Sequence, residues 1–399
     1  MSRISVIGLD GSPLSPEAKE LLEAASLVAG GRRHLEEHGV GPERVVALEG
    51  DLSAALTRIE AERGPVAVLA SGDPGFFGIV RLLGERFGSA SLRVLPAVSS
   101  VALAFARAGV SYDDAVTVSA HGREPRRAVN VCRAHPKVAV LTSPGFGPAE
   151  LARSLEGLGR TLLVAEKLGG PDERVVRGDA QTVAGERWGD PNVVLVMDEE
   201  MRVGKGWISS GYQGVGRWAL PEEAFEHASG MITKSATRAL VLSRLGPSPG
   251  DLVWDVGAGS GSVGVECARL GAAVVAVERD PDSCARIRRN AARHGAYVEV
   301  VEGTAPEALR DLPEPDAVFV GGTGGSFEEI VKLCAVRARR TVVLTLIGLE
   351  RVVPAGRVLK DCGLEVETAL VQTSSVRGIA SMHRLVPEGV VFLVCGRRP

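Results

Sequence analysis

The sequence predicts two α/β domains in series, and three observations carry that prediction. From residue 3 to about 198, short β-branched runs alternate with helical stretches. The alternation lapses in EEMRVGKGWISSGYQGVGRWAL (199–220), which is rich in glycine, lacks either periodicity and holds Trp207 and Trp218. A second α/β series follows, opening on a strand, a glycine turn and a helix in VWDVGAGSGSVGVE (253–266). A chain of 399 residues also exceeds one ordinary core, since domains run to roughly 100–200 residues. The boundaries expected are 1–203 for the first domain, 204–220 for a linker and 221–399 for the second.

In the first half, the strand candidates are ISVIGL, VVAL, VAVLAS, LRVL, VAVLTS, TLLVAE and NVVLVM. The first helix is expected to start with Ser15 as N-cap and Pro16 in its first turn, and to stop at Gly30-Gly31. A helix is expected over 100–109, following Ser99. In the second half, helical segments in PEEAFEHASG and KSATRALVLSRL precede the strands LVWDV, AVVAVE, VEVVEG, AVFVGG, TVVLTL, EVETALVQ and VVFLVC. The last two strands are joined by a stretch read as a loop without room for a crossover helix, so they should pair antiparallel.

Composition narrows the function. A net charge of −3 and no conspicuous Lys/Arg run remove the electrostatic footprint of a nucleic-acid binder. No apolar stretch approaches a membrane span, and MSRISVIGLDG passes directly into a β-type run rather than a signal peptide. The six cysteines stand singly, which suggests reduced thiols of a cytoplasmic protein and neither a zinc ribbon nor a disulfide framework. His34 and His38 lie four apart in HLEEH; with no third ligand in view they read as a solvated helix face, and no metal is expected.

The glycine turn fits two ligands by pattern alone. Gly259, Gly261 and Gly264 satisfy the dinucleotide fingerprint, while Asp255, Gly257, Gly259 and Gly261 satisfy D-x-G-x-G-x-G of an S-adenosylmethionine site. Glu278, 19 residues after Gly259, suits the ribose hydroxyls in either case. Charge separates the two readings: a carboxylate beside the helix N-terminus repels a pyrophosphate but suits a sulfonium and an ammonium. Asp255 therefore favours the methyl donor, unless it merely caps the turn.

The segment AFEHASGMITKSATRALVLSRLGPSPGDLVWDVGAGSGSVGVE, with EGTAPEAL and FVGGTGG beyond it, resembles the decarboxylating precorrin methyltransferases of the cobalamin pathway. VLASGDPGFFGI, LPAVSSVALAFARAG, VSAHGRE, VLTSPGFGPAELA and EKLGGPDERV resemble, in order, the tetrapyrrole methylases that act at carbon 5 of the same macrocycle. The resemblance covers nearly the whole chain. It implies a two-lobed tetrapyrrole methylase fold followed by a Rossmann-like class I domain with a terminal antiparallel hairpin. It also implies two S-adenosylmethionine-dependent methylations of a precorrin-6 ring, at carbons 5 and 15, with loss of the ring C acetate carboxyl as carbon dioxide, and assembly into a homo-oligomer.

Site residues follow from pattern and resemblance together. Gly257, Gly259, Gly261 and Glu278 are donor contacts on both grounds; Thr233, Thr304 and Ala305 join them by resemblance, although the family tends to carry an acid where Thr304 stands. In the first domain, resemblance places Gly72, Asp73 and Pro74 at the donor, where Gly-Asp-Pro is otherwise an ordinary turn, and Ser99 and Ser100 at the next strand exit, where their other role is capping. The first loop, GLDGSPLSP, keeps Gly8, Asp10 and Gly11 but displaces the proline to Pro13. For the ring carboxylates the candidate cations are Lys234, Arg238 and Arg377, each with a solvated surface role as its alternative. His121 and Arg123 are either further contacts or part of a capped loop.

Overall fold

In the computed structural model, residues 3–50, 52–199, 209, 216–228, 230–379 and 382–399 are described. Most of the expected 204–220 linker, including Trp207, lies outside them. The chain forms two compact units, one of residues 1–123 and 139–199, the other of residues 124–138 and 200–399.

The first sheet holds β1 (Ile4–Leu9), β2 (Leu27–Gly30), β3 (Val45–Ala47), β4 (Val66–Ser71) and β5 (Leu92–Leu95) in the order β3-β2-β4-β1-β5. All its pairings are parallel. Ile4, Val6, Leu27, Val66 and Val68 form the core on one face, and Ile7, Val28, Ala67 and Leu69 on the other. Burial on both faces explains why these strands read as continuous apolar runs. A second sheet holds β6 (Val116–Ser119), β7 (Lys137–Leu141), β8 (Thr161–Glu166), β9 (Arg174–Asp179) and β10 (Asn192–Met197), ordered β6-β7-β10-β8-β9. Here β8 pairs antiparallel with both β10 and β9.

The first helix begins as expected, with Ser15 Oγ accepting from Ala18 N at 3.2 Å, but ends at Ala24 rather than at Gly30. The stretch Leu27–Gly30 is instead β2, entirely buried between β3 and β4. Its apolar residues are buried all round, so the pull of the sheet outweighs the helical pattern continued from residues 16–24.

The third sheet has β11 (Leu252–Val256), β12 (Ala273–Glu278), β13 (Glu299–Glu302), β14 (Ala317–Val320), β15 (Thr341–Leu346), β16 (Glu365–Val371) and β19 (Val391–Arg397), ordered β13-β12-β11-β14-β15-β19-β16. It is parallel except for β19, which runs antiparallel to β15 and β16, as expected for strands joined without a crossover helix. That connection is not a loop: β17 (Ser374–Ile379) and β18 (Met382–Pro387) make an antiparallel hairpin in it. Of the helical stretch expected from Pro221, only a single 3-10 turn, Glu222–Ala224, forms among the described residues before the helix Ser235–Leu245. Among the described residues, no helix is long and apolar enough to cross a membrane.

Candidate active sites

In the first unit three strand exits converge. Gly8 in β1 lies so close to its neighbours that a side chain there would collide with the carbonyl of Gly72 and stand 2.6 Å from the amide of Ala97. Gly72 follows β4 with φ +60°, and its amide donates to Leu9 O at 2.6 Å. Asp73 then closes the turn by accepting from Gly75 N at 2.8 Å. Asp10, beyond β1, accepts from Val98 N at 3.1 Å and from Ser12 N at 3.0 Å. The Ser12 hydroxyl is the main cause that holds its carboxyl below the ordinary range.

These exits open on a cavity of about 980 Å³, at the upper end of the roughly 300–1,000 Å³ of small-molecule pockets. Gly72 and Ser100 line it; Asp73, Pro74 and Ser99 stand one residue back in the same two turns. Ser99 is the N-cap of the helix Ser100–Ala108, accepting from Ala102 N at 3.1 Å. His121 and Arg123 also line the cavity, joined by three cations the sequence reading passed over, Arg33, Arg81 and Lys167. Arg33 and Arg81 sit on separate helices and Lys167 follows β8, so no linear motif gathers them. His34 departs from the solvated-face expectation. It is 7% exposed, because its helix lays that side against β4, where Nε2 meets Ser71 Oγ at 2.7 Å.

In the second unit the glycine turn follows β11. Gly257 has φ +66°, and a side chain on it would meet Gly322 O and stand 2.7 Å from Gly322 N, at the exit of β14. Gly259 has φ +57° with open space where a side chain would begin, whereas on Gly261 it would strike Ile287 at 2.9 Å. Glu278, ending β12, accepts from Gly259 N at 2.9 Å through one oxygen and from Arg279 N and Asp280 N through the other. That fixes the carboxylate over the turn with a lone pair of Oε2 to spare for a ligand hydroxyl. Gly303 N donates to Glu278 O at 2.9 Å, bringing Thr304 and Ala305 to the same corner. An open glycine approach beside an oriented acid suits a nucleoside-bearing donor.

Asp255 takes no place at the surface of that turn. It is 1% exposed, accepts from Gly264 N at 2.9 Å with one oxygen and has its other oxygen unpaired. Burial pushes its carboxyl up to about 7. Gly264 is explained by the same contact, since a side chain there would press on Asp255 and Val274. Asp255 therefore presents no carboxylate at the turn to repel a pyrophosphate: it anchors the following helix from beneath.

This yields a pH signature. A folded pKa near 7 against an unfolded 3.8 means that ionising Asp255 costs the fold stability, which falls as pH rises between those values and levels off above. Asp255→Asn keeps the Gly264 contact without the charge. Thermal unfolding is expected to show the variant gaining on the native chain from pH 4 to 7, by on the order of a few kcal/mol at pH 8. Parallel pH curves would contradict this.

Arg238 requires correction as a ring-carboxylate contact. It is 0% exposed, with Nε 3.4 Å from Glu266 Oε1, Nη1 donating to Thr233 O at 2.6 Å and Nη2 to Leu220 O. Its guanidinium lies 4.8 Å from the Phe225 ring centroid. Glu266 accepts from Leu220 N in return at 2.7 Å. Arg238 thus holds the chain that carries Thr233 and has no surface left for a ligand. Lys234 is exposed at the start of the same helix. Arg377 is exposed on β17, opposite Arg384 in the hairpin register, and no hydrogen bond or ion pair among the described residues joins it to the glycine turn.

Comparison with known proteins finds two families in series along the chain. Residues 7–184 match the family model of tetrapyrrole (corrin/porphyrin) methylases, and residues 223–390 that of the precorrin methyltransferase domain. A precorrin-6Y C(5,15)-methyltransferase [decarboxylating] of Sinorhizobium sp is 41% identical over 347 residues, 82% of this chain and 79% of the relative. A cobalt-precorrin-7 C(5)-methyltransferase of Salmonella typhimurium is 35% identical over 193 residues, 47% of this chain and 92% of the relative. A probable cobalt-precorrin-6B C(15)-methyltransferase (decarboxylating) of Pyrobaculum calidifontis is 36% identical over 159 residues, 38% of this chain and 82% of the relative. With this much of its length shared at that identity, and with both domains represented, the chain belongs to the decarboxylating precorrin-6Y C5,15-methyltransferase family.

Proposed function

We propose that the two reactions of this decarboxylating precorrin methyltransferase are divided between the units: the first methylates carbon 5, the second methylates carbon 15 and releases the ring C acetate carboxyl. The observation that carries the division is one complete strand-exit site in each unit. It is supported by relatives about half this length that are named for one reaction each. The numbering of their substrates, 6B before 7, supports carbon 15 as the first carbon methylated.

S-adenosylmethionine supplies the electrophilic methyl in both units. In the first, the Gly72 turn and the Ser99–Ser100 corner would hold it. In the second, Gly257, Gly259, Gly261, Glu278, Thr233 and Ala305 would do so, with Asp255 and Arg238 setting the turn and the Thr233 segment in place. A carbon bridging two pyrrole-derived rings is an enamine-like nucleophile, so alignment contributes more than a strong base. For the decarboxylation, the conjugated imines of the ring accept the electron pair. The protein's task is to orient a polycarboxylate, and Arg33, Arg81, Arg123 and Lys167 in the first unit and Lys234 and Arg377 in the second are the cations for it.

Gly8→Ala in the full chain tests the division. Blocking the junction of Gly8, Gly72 and Ala97 is expected to leave a product with one added methyl and no ring C acetate carboxyl, as read by mass spectrometry. A doubly methylated product would refute the assignment.

A further inference from the structure

Three side chains at one edge of the first unit's cavity meet in an arrangement that the donor site does not explain. Ser71 is the last residue of β4, immediately before the Gly72 turn, and is exposed to the cavity that it lines. Its hydroxyl lies 2.7 Å from His34 Nε2. The other ring nitrogen, Nδ1, is buried and makes no hydrogen bond, and Glu37 Oε2 faces it at 3.9 Å, long for a hydrogen bond but within charge range. Glu37 is 57% exposed at its side chain and lines the same cavity. A hydroxyl on an imidazole that faces a carboxylate is a path for a proton from a cavity to solvent.

The reaction needs such a path. When a ring carbon bearing hydrogen takes a methyl from a sulfonium, the S–C bond breaks and its electron pair stays on sulfur, giving a neutral thioether. The new C–C bond uses the enamine pair of the ring, so the positive charge moves to a ring nitrogen as an iminium. Conjugation returns only when the C–H bond breaks, its electron pair re-entering the ring and its proton leaving. Each methylation therefore releases one proton, which needs an acceptor at the ring carbon and a way to solvent.

We propose that Ser71, His34 and Glu37 form the relay that takes up the proton displaced from the ring carbon methylated in the first unit. The proposal rests on the reading that this cavity holds the macrocycle. Ser71 Oγ receives the proton from carbon while passing its own to His34 Nε2, and the imidazolium stands beside Glu37 until water discharges it. Ser71 is the catalytic residue here; His34 and Glu37 act through it.

The charges around His34 suit this task. Arg33 and Glu37 stand on its own helix, Arg32–Glu37, with His38 as its C-cap; β2 and β3 beneath bring no ionisable group, and Glu49 beyond β3 is engaged by Arg32 at 3.0 Å. Arg81 and Glu85, on the helix Val80–Phe87, line the same cavity. Burial, with Arg33 in support, holds His34 below the ordinary histidine value, against the opposing pull of Glu37. The imidazole is thus neutral and able to accept at neutral pH, and loses that capacity as pH falls through its pKa.

The test follows carbon 5 methylation by the full chain with S-adenosylmethionine and a reduced precorrin-6 ring, across pH, alongside calorimetric donor affinity. Ser71→Ala, at an exposed position, and His34→Gln are each expected to slow carbon 5 methylation by tenfold or more. Both should erase the acid limb of its pH profile and leave donor affinity and carbon dioxide release within twofold. Glu37→Gln should move the acid limb to lower pH. Native rate and native limb in Ser71→Ala would overturn the relay, as would a loss of donor affinity matching the loss of rate. Gly8→Ala separates the two levels: if it leaves carbon 5 methylation intact, the siting of that reaction in this cavity fails and the relay with it. If Gly8→Ala blocks the reaction and the relay variants do not, the relay alone fails.

Discussion

Gly257→Ala is expected to abolish carbon dioxide release by the full chain. Two independent terms act at this position. The backbone sits at φ +66°, where an L side chain costs roughly 1–2 kcal/mol. The added carbon would also collide with the Gly322 carbonyl and stand 2.7 Å from its amide. These neighbours are backbone atoms at the exit of β14, in a parallel pair with β11, so relief requires the two strand exits to part. Opening the turn displaces Gly259 from Glu278, and a displacement of about 1 Å at a positioned donor is enough to cost on the order of a hundredfold in rate. The measurement is release of carbon dioxide from the ring, with calorimetric donor affinity beside it. Retention of a tenth or more of native activity would show that the turn does not hold the donor.

The second large effect is expected at Arg238, on stability. Arg238→Met leaves Glu266, which is fully buried, with Arg269 at 3.2 Å as its one remaining cation among the described residues, and strips the carbonyls of Thr233 and Leu220 of their donor. Breaking a buried ion pair from one side costs about 3–5 kcal/mol, and denaturant unfolding of the second unit's transition should show a loss of that size. Replacing both partners, Arg238→Met with Glu266→Met, is expected to recover part of the loss, because no fully buried charge is left unpaired; Arg269 loses its carboxylate but keeps the Arg217 carbonyl at 2.9 Å. A variant of native stability with a raised KM for the ring would instead return Arg238 to the substrate.

What was legible in the chain was whatever a short segment specifies by itself. Strand β11, its glycines and the acid that ends β12 are consecutive pieces of one local unit, so spacing alone gave the corner formed by Gly257, Gly259, Gly261 and Glu278. The antiparallel end of the third sheet followed from the absence of a crossover. The misread elements are decided by distant partners. Leu27–Gly30 is a strand because β3 and β4 flank it, and Asp255 and Arg238 lie inside because of Gly264, Glu266 and Leu220, contacts that periodicity does not reveal. His34 is the sharpest instance. In sequence it is one of a histidine pair, four apart in the charged stretch HLEEH. Only the fold sets it against Ser71, 37 positions away.

The most direct test of the account is the number of S-adenosylmethionine molecules that bind one chain, measured by calorimetric titration of the full-length protein. Two are expected, falling to one in Gly8→Ala and to one, at the other site, in Gly257→Ala. A single molecule per chain, lost in one of these variants and untouched by the other, would contradict a donor site in each unit.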